Sequence, residues 1–169
     1  MTCGRWFVAA GVAAFVVAVA PSAFAQGRRT AAAEGIAGYA GFIDDATIHH
    51  AVLGAAARWY LLPRVAVGPE LVYMKGPDDD RDVVLTGNVT FDLSSGTRAV
   101  TPFLVVGGGI FRHSDRFGGR TFSSTEGSFT GGGGVRIPIA ERLYVAPEFR
   151  IGWEPHYRLS VAVGWRFGD

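Results

Sequence analysis

The chain has 169 residues, 49% of them hydrophobic, 18% charged, with 24 glycines and one cysteine, a length that holds a single ordinary domain. Of its 16 basic residues only Arg5 falls within the first 25 positions, so the remainder sets 15 basic against 15 acidic side chains. That balance removes the electrostatic basis for binding nucleic acid. Cys3 precedes the apolar leader, so the rest of the chain has no disulfide and depends on backbone pairing and packing.

Arg5, the apolar run Trp6 to Ala20, and Ala23-Phe24-Ala25 ahead of Gln26 have the organisation of a secretory signal peptide cut after Ala25. The expected domains are a signal peptide over 1–25, a flexible lead-in over 26–33 and one barrel domain over 34–169. Past the leader no apolar run approaches the roughly 20 residues of a transmembrane helix. A chain that still spans a membrane must then close into a barrel, where every backbone group is paired.

Strand-like segments separated by turn chemistry fill the rest. The first covers about Glu34 to Ile43 and ends at Asp44-Asp45. The second, Ile48 to Leu61, alternates Leu53, Ala55, Ala57, Trp59 with Val52, Gly54, Ala56, Arg58. Leu62-Pro63 turns the chain into the third, Arg64 to Lys75, where Val65, Val67, Pro69, Leu71, Tyr73 alternate with Ala66, Gly68, Glu70, Val72, Met74. The charged loop Gly76 to Asp80 follows, then the fourth segment, Arg81 to Leu93. The fifth covers about Val100 to Arg112, and a polar loop is expected from His113 to about Ser123. The sixth covers about Ser124 to Ile137, with glycine at 131–134.

The last quarter is the most regular. Leu143, Val145, Pro147, Phe149, Ile151 and Trp153 alternate with Tyr144, Ala146, Glu148, Arg150 and Gly152. After Glu154-Pro155, Tyr157, Leu159, Val161, Val163, Trp165 and Phe167 alternate with Arg158, Ser160, Ala162, Gly164 and Arg166. Successive strand side chains point to opposite faces, so each segment has one greasy face and one small-or-charged face. Segments of about ten residues match tilted membrane-crossing strands. Arg64 to Leu71 and Arg142 to Phe149 share the form Arg-apolar-x-Val-small-Pro-Glu-apolar. Proline at the same place in two strands implies a bulge or a weakly paired position in each.

Eight strands, with compact turns after the second, fourth and sixth and charged loops after the third and fifth, predict an all-β, eight-stranded antiparallel up-and-down transmembrane β-barrel. Arg58, Glu70, Glu148, Arg150 and Arg158 sit on the non-greasy face, which suits a narrow lumen filled by ion pairs. Trp59, Tyr73, Phe91, Trp153, Tyr157, Trp165 and Phe167 lie near strand ends on the greasy face, as interfacial girdles do. A soluble lipocalin-like carrier would turn the greasy face inward instead.

The leader, the Val-small-Pro-Glu strands, the fifth strand Thr101 to Gly109 and the ending Val163-Gly164-Trp165-Arg166-Phe167 resemble the small Gram-negative outer-membrane barrels of the OmpA/OmpX-like group. The resemblance implies location in the outer membrane, a monomer surrounded by membrane lipids and lipopolysaccharide, and an aromatic assembly signal, Trp165 and Phe167, read by the barrel-insertion machinery. The expected role is structural or surface-interactive, in envelope integrity or adhesion through the loops, with no cofactor.

In so narrow a barrel, Glu70 and Glu148 are expected to pair with Arg58, Arg150, Arg158 or Arg166, because unpaired charges there are costly. Arg112, Arg116 and Arg120 are candidates for contact with lipopolysaccharide phosphates, since guanidinium groups suit bidentate phosphate recognition. His113, Ser114 and Glu126 are the candidates for a hydrolytic triad. They resemble the His-x-Ser-Asn element and later Glu of the lipid A deacylases, which are barrels of the same size, although here histidine and serine are adjacent. No metal site is assigned: Asp78-Asp79-Asp80, and His49-His50 near Asp44-Asp45, lack the spacing of one.

Overall fold

Backbone groups at the edges of an antiparallel meander are satisfied only if the two edges meet. In the computed structural model they do. The strands β1 (Ala31–Ile43), β2 (Thr47–Leu62), β3 (Val65–Lys75), β4 (Arg81–Asp92), β5 (Thr101–Phe117), β6 (Arg120–Pro138), β7 (Leu143–Gly152) and β8 (His156–Phe167) form one closed barrel. Each pairs antiparallel with its sequence neighbours, and β1 closes on β8. The structure describes residues 31–43, 47–78, 80–94, 100–117, 120–153 and 155–168; the leader, 26–30, Asp44, Asp45 and Asp79 lie outside it, as do the side chains of Arg116 and Phe117.

Two boundaries differ from the sequence reading. Ala31 to Ala33 are not lead-in: they pair with Trp59, Arg58 and Ala57 on one side and with Phe167, Arg166 and Trp165 on the other. The stretch His113–Ser123 is not a loop either, because β5 and β6 keep one register from Thr101↔Arg136 to Phe117↔Arg120. The ladder uses backbone groups alone, so polar side chains do not end it.

At the twin prolines no register shift occurs. Pro69 is paired with Gly87 on β4, while the ladder to β2 lapses between Ala56↔Glu70 and Trp59↔Val67. Pro147 is paired with Val161 on β8, and the ladder to β6 lapses between Gly134↔Glu148 and Ile137↔Val145. In both strands the lapse faces the preceding strand, which is how a residue without an N–H is accommodated.

Side-chain facing follows the alternation. Along β8, His156, Arg158, Ser160, Ala162, Gly164 and Arg166 are buried, whereas Leu159, Val161, Val163, Trp165 and Phe167 are exposed. The apolar set therefore lines the outside, the inverse of a soluble barrel. Inside, apolar clusters lie on either side of a polar layer. One, near the turns, contains Ile36, Phe103, Val105 and Tyr144. The other, nearer the loops, contains Val52, Val72, Met74, Val84 and Phe111, with Phe42 against it.

Candidate functional site

The polar layer is built from side chains that period-two geometry turns inward on strands facing each other across the lumen. Arg150 of β7 donates from Nη2 to Glu70 Oε2 at 2.7 Å, from Nε to Glu148 Oε1 at 2.6 Å and from Nη1 to Asn88 Oδ1 at 2.9 Å. Arg158 of β8 donates from Nη2 to Glu70 Oε1 at 2.8 Å and to Glu148 Oε1 at 3.0 Å. Two carboxylates thus share two guanidiniums in a buried, charge-neutral ring. Neutrality is what makes the ring tolerable, since an isolated charge in this environment costs several kcal/mol or about that order.

A second layer lies toward the turns. Arg58 donates from Nε and Nη2 to Glu34 Oε2, both at 2.7 Å, and from Nη1 to Thr90 Oγ1 at 2.7 Å. The Tyr144 hydroxyl donates to Glu34 Oε1 at 2.5 Å. Its ring occupies the space that Gly164 leaves open, where a Cβ would meet Tyr144 Cζ at 2.1 Å. Arg166 lies 4.7 Å above that ring, a cation–π arrangement. Below, Arg136 pairs with Asp92 and lies 4.3 Å over Phe103. A void of about 10 Å³ beside Glu70, Arg150 and Arg158 has room for one water or less.

Of the six lumen charges named from the sequence, Glu70, Glu148, Arg150 and Arg158 meet in the ring, Arg58 joins Glu34 instead, and Arg166 stacks on Tyr144. Sequence reasoning missed Glu34, Asp92 and Arg136. Glycine and alanine blur the facing of β1, and the glycine run hides the parity of β6. Replacing Tyr144 by phenylalanine removes one hydrogen bond to a buried carboxylate and is expected to cost about 1.5–3 kcal/mol, read as a lower urea midpoint of the barrel in detergent micelles.

The triad candidates do not assemble. Regular pairing puts His113 opposite Asp82 and Ser114 opposite Arg81, on opposite faces of β5, while Glu126 is exposed on β6 opposite Phe111. The Nδ1 of His113 is hydrogen-bonded to Asp82 Oδ1 at 2.7 Å. Arg112, opposite Val83, and Arg120, opposite Phe117, are exposed; the side chain of Arg116 lies outside those described. Trp165 and Phe167 face outward at the turn-side end of β8, beside Ala33 and Ala31.

A closed eight-stranded antiparallel meander, apolar outside and ion-paired within, is the architecture of the small transmembrane β-barrels. Solved structures agree on this fold. Neisserial surface protein A superposes with a TM-score of 0.73 at 14% identity, covering 81% of this chain and 97% of that one. The N-terminal β-barrel domain of OprF from Pseudomonas aeruginosa gives 0.66 at 11% identity, with 84% and 100% covered. Ail, the attachment invasion locus protein of Yersinia pestis, gives 0.59 at 14%, with 83% and 100% covered. No protein-family model and no curated protein sequence matches the chain.

Proposed function

We propose that this chain is an exported, monomeric outer-membrane barrel with a structural or surface-interaction role, in envelope integrity or adhesion, and a lumen closed by ion pairs. The observation that carries the reading is the neutral Glu70–Arg150–Glu148–Arg158 ring inside a barrel whose outer face is apolar. The ion-paired side chains reach across the path through the barrel, which supports a plug over a pore. The β5–β6 hairpin extends past the exposed Ile110 and carries Arg112 and Arg120, groups suited to lipopolysaccharide phosphates. Ail, which shares the fold, has also been solved with the heparin analogue sucrose octasulfate. An anionic surface partner for this hairpin is in keeping with that precedent. The signal peptide and the Trp165/Phe167 ending fit export and handling by the barrel-insertion machinery.

The test combines fractionation with planar-bilayer recording. The protein is expected in the outer-membrane fraction, as a band whose mobility changes on boiling, and to show no stepwise conductance. Discrete channels in the wild type would overturn the plug. A Glu148→Gln variant that kept wild-type heat resistance would remove the ring from the stability argument. Lipid A acylation in cells expressing Ser114→Ala is expected to equal that with the wild type; a wild-type-only loss of an acyl chain would replace this reading with a hydrolase.

A further inference from the structure

Above the loop-side apolar cluster, three strands and one loop bring together side chains that no part of the plug uses. His50 of β2 is 2% exposed, and its Nε2 lies 2.8 Å from Asp80 Oδ2 and 3.2 Å from Asp82 Oδ2. His113 of β5 approaches from the other side, its Nδ1 2.7 Å from Asp82 Oδ1 and 3.5 Å from Asp80 Oδ1. Asp82 is 1% exposed, and the buried Asp80 Oδ1 has no hydrogen-bond partner. Lys75, the chain's one lysine, donates to the carbonyl oxygens of Asp78 and Asp80 rather than to these carboxylates.

We propose that His50, Asp80 and Asp82 form a binding site for a divalent transition-metal ion of the Zn²⁺ type, with His113 holding Asp82 in place through its other oxygen. His50 Nε2 and one oxygen from each carboxylate all lie within 4.8 Å of one another, three convergent donors that leave the fourth tetrahedral position for a water, as in an open zinc site. Zinc–ligand bonds of roughly 2.0–2.1 Å place tetrahedral donors roughly 3.3 Å apart. The separation of His50 Nε2 from Asp82 Oδ2, 3.2 Å, already matches, and that from Asp80 Oδ2, 2.8 Å, needs to open by about 0.5 Å.

An imidazole among the three donors favours a zinc-type ion over Ca²⁺, which takes six to eight oxygen ligands, and over Mg²⁺, which keeps its waters. Local structure holds the donors in place. The Phe42 ring meets His50 edge-on at 4.8 Å, and Asp78, at φ 50°, helps close the turn that delivers Asp80. Gly76 leaves the ligand side of His50 and Asp80 open: a Cβ there would stand 2.5 Å from His50 Nε2 and 2.6 Å from Asp80 Oδ2. A bound ion would tie Asp80 to β2 and β4, clamping the mouth of the barrel independently of the ring below.

The experiment titrates the full chain, folded in detergent and stripped with a chelator, with Zn²⁺ in competition with a chromogenic chelator, and with Ca²⁺ and Mg²⁺ as separate probes. One equivalent of Zn²⁺ is expected to bind saturably, and Co²⁺ to give the strong visible absorption of four-coordinate geometry. His50→Gln, Asp82→Asn and His113→Gln should each weaken Zn²⁺ binding at least about tenfold, while Glu141→Gln, in the turn at the other rim, should not. Boiling-dependent mobility shows whether each variant is folded. A folded wild type without saturable Zn²⁺ uptake, or folded His50→Gln and His113→Gln variants that bind as the wild type does, would overturn the site.

Discussion

Glu70→Ala is expected to destabilise the folded barrel by about 3–5 kcal/mol, the usual cost of stranding buried charge. Glu70 accepts from both Arg150 and Arg158, and Glu148 is the other carboxylate bound to both. Without Glu70, two guanidiniums compete for one carboxylate, and the void beside them has room for one water or less. The measurement is the urea midpoint and slope in micelles or vesicles. A double variant, Glu70→Leu with Arg158→Leu, should lose less than the sum of its singles, because removing both members of a buried pair can be nearly neutral. A loss below about 1 kcal/mol for Glu70→Ala, the scale of a surface ion pair, would mean that the ring does not hold the barrel.

Val161→Arg should be nearly as costly, for the opposite reason. Val161 faces outward midway along β8 between Tyr157 and Trp165, with Ala37 and Pro147 as its lateral neighbours. On a lipid-facing strand at the bilayer midplane, arginine costs about 2–4 kcal/mol. On the water-facing surface of a soluble barrel the same change would stay within about 0.5 kcal/mol. Urea unfolding from phospholipid vesicles separates the two. A shift under about 0.5 kcal/mol would remove the membrane from the account of this fold.

The sequence by itself determined the number of strands, their order and which face of each is apolar. Those properties are local: alternation with period two is written in Leu143 to Phe167 residue by residue, and closure follows because an edge cannot be left unpaired. It also turned Glu70, Glu148, Arg150 and Arg158 toward a common interior. The polar extension of β5 and β6 past Arg112 was not legible, because side-chain chemistry signals a loop there while the backbone ladder continues.

What only the tertiary structure decided is which interior groups meet. Arg150 reaches Glu70 from β7 to β3, across the lumen, while Arg58 takes Glu34 on the adjacent β1. His113 lies beside Asp82 rather than with Ser114, and His50 of β2 meets Asp80, 30 residues away in sequence, and Asp82 of β4. These contacts depend on the stagger of the strands and on how narrow the barrel is. Neither quantity is carried by the alternation of a single strand.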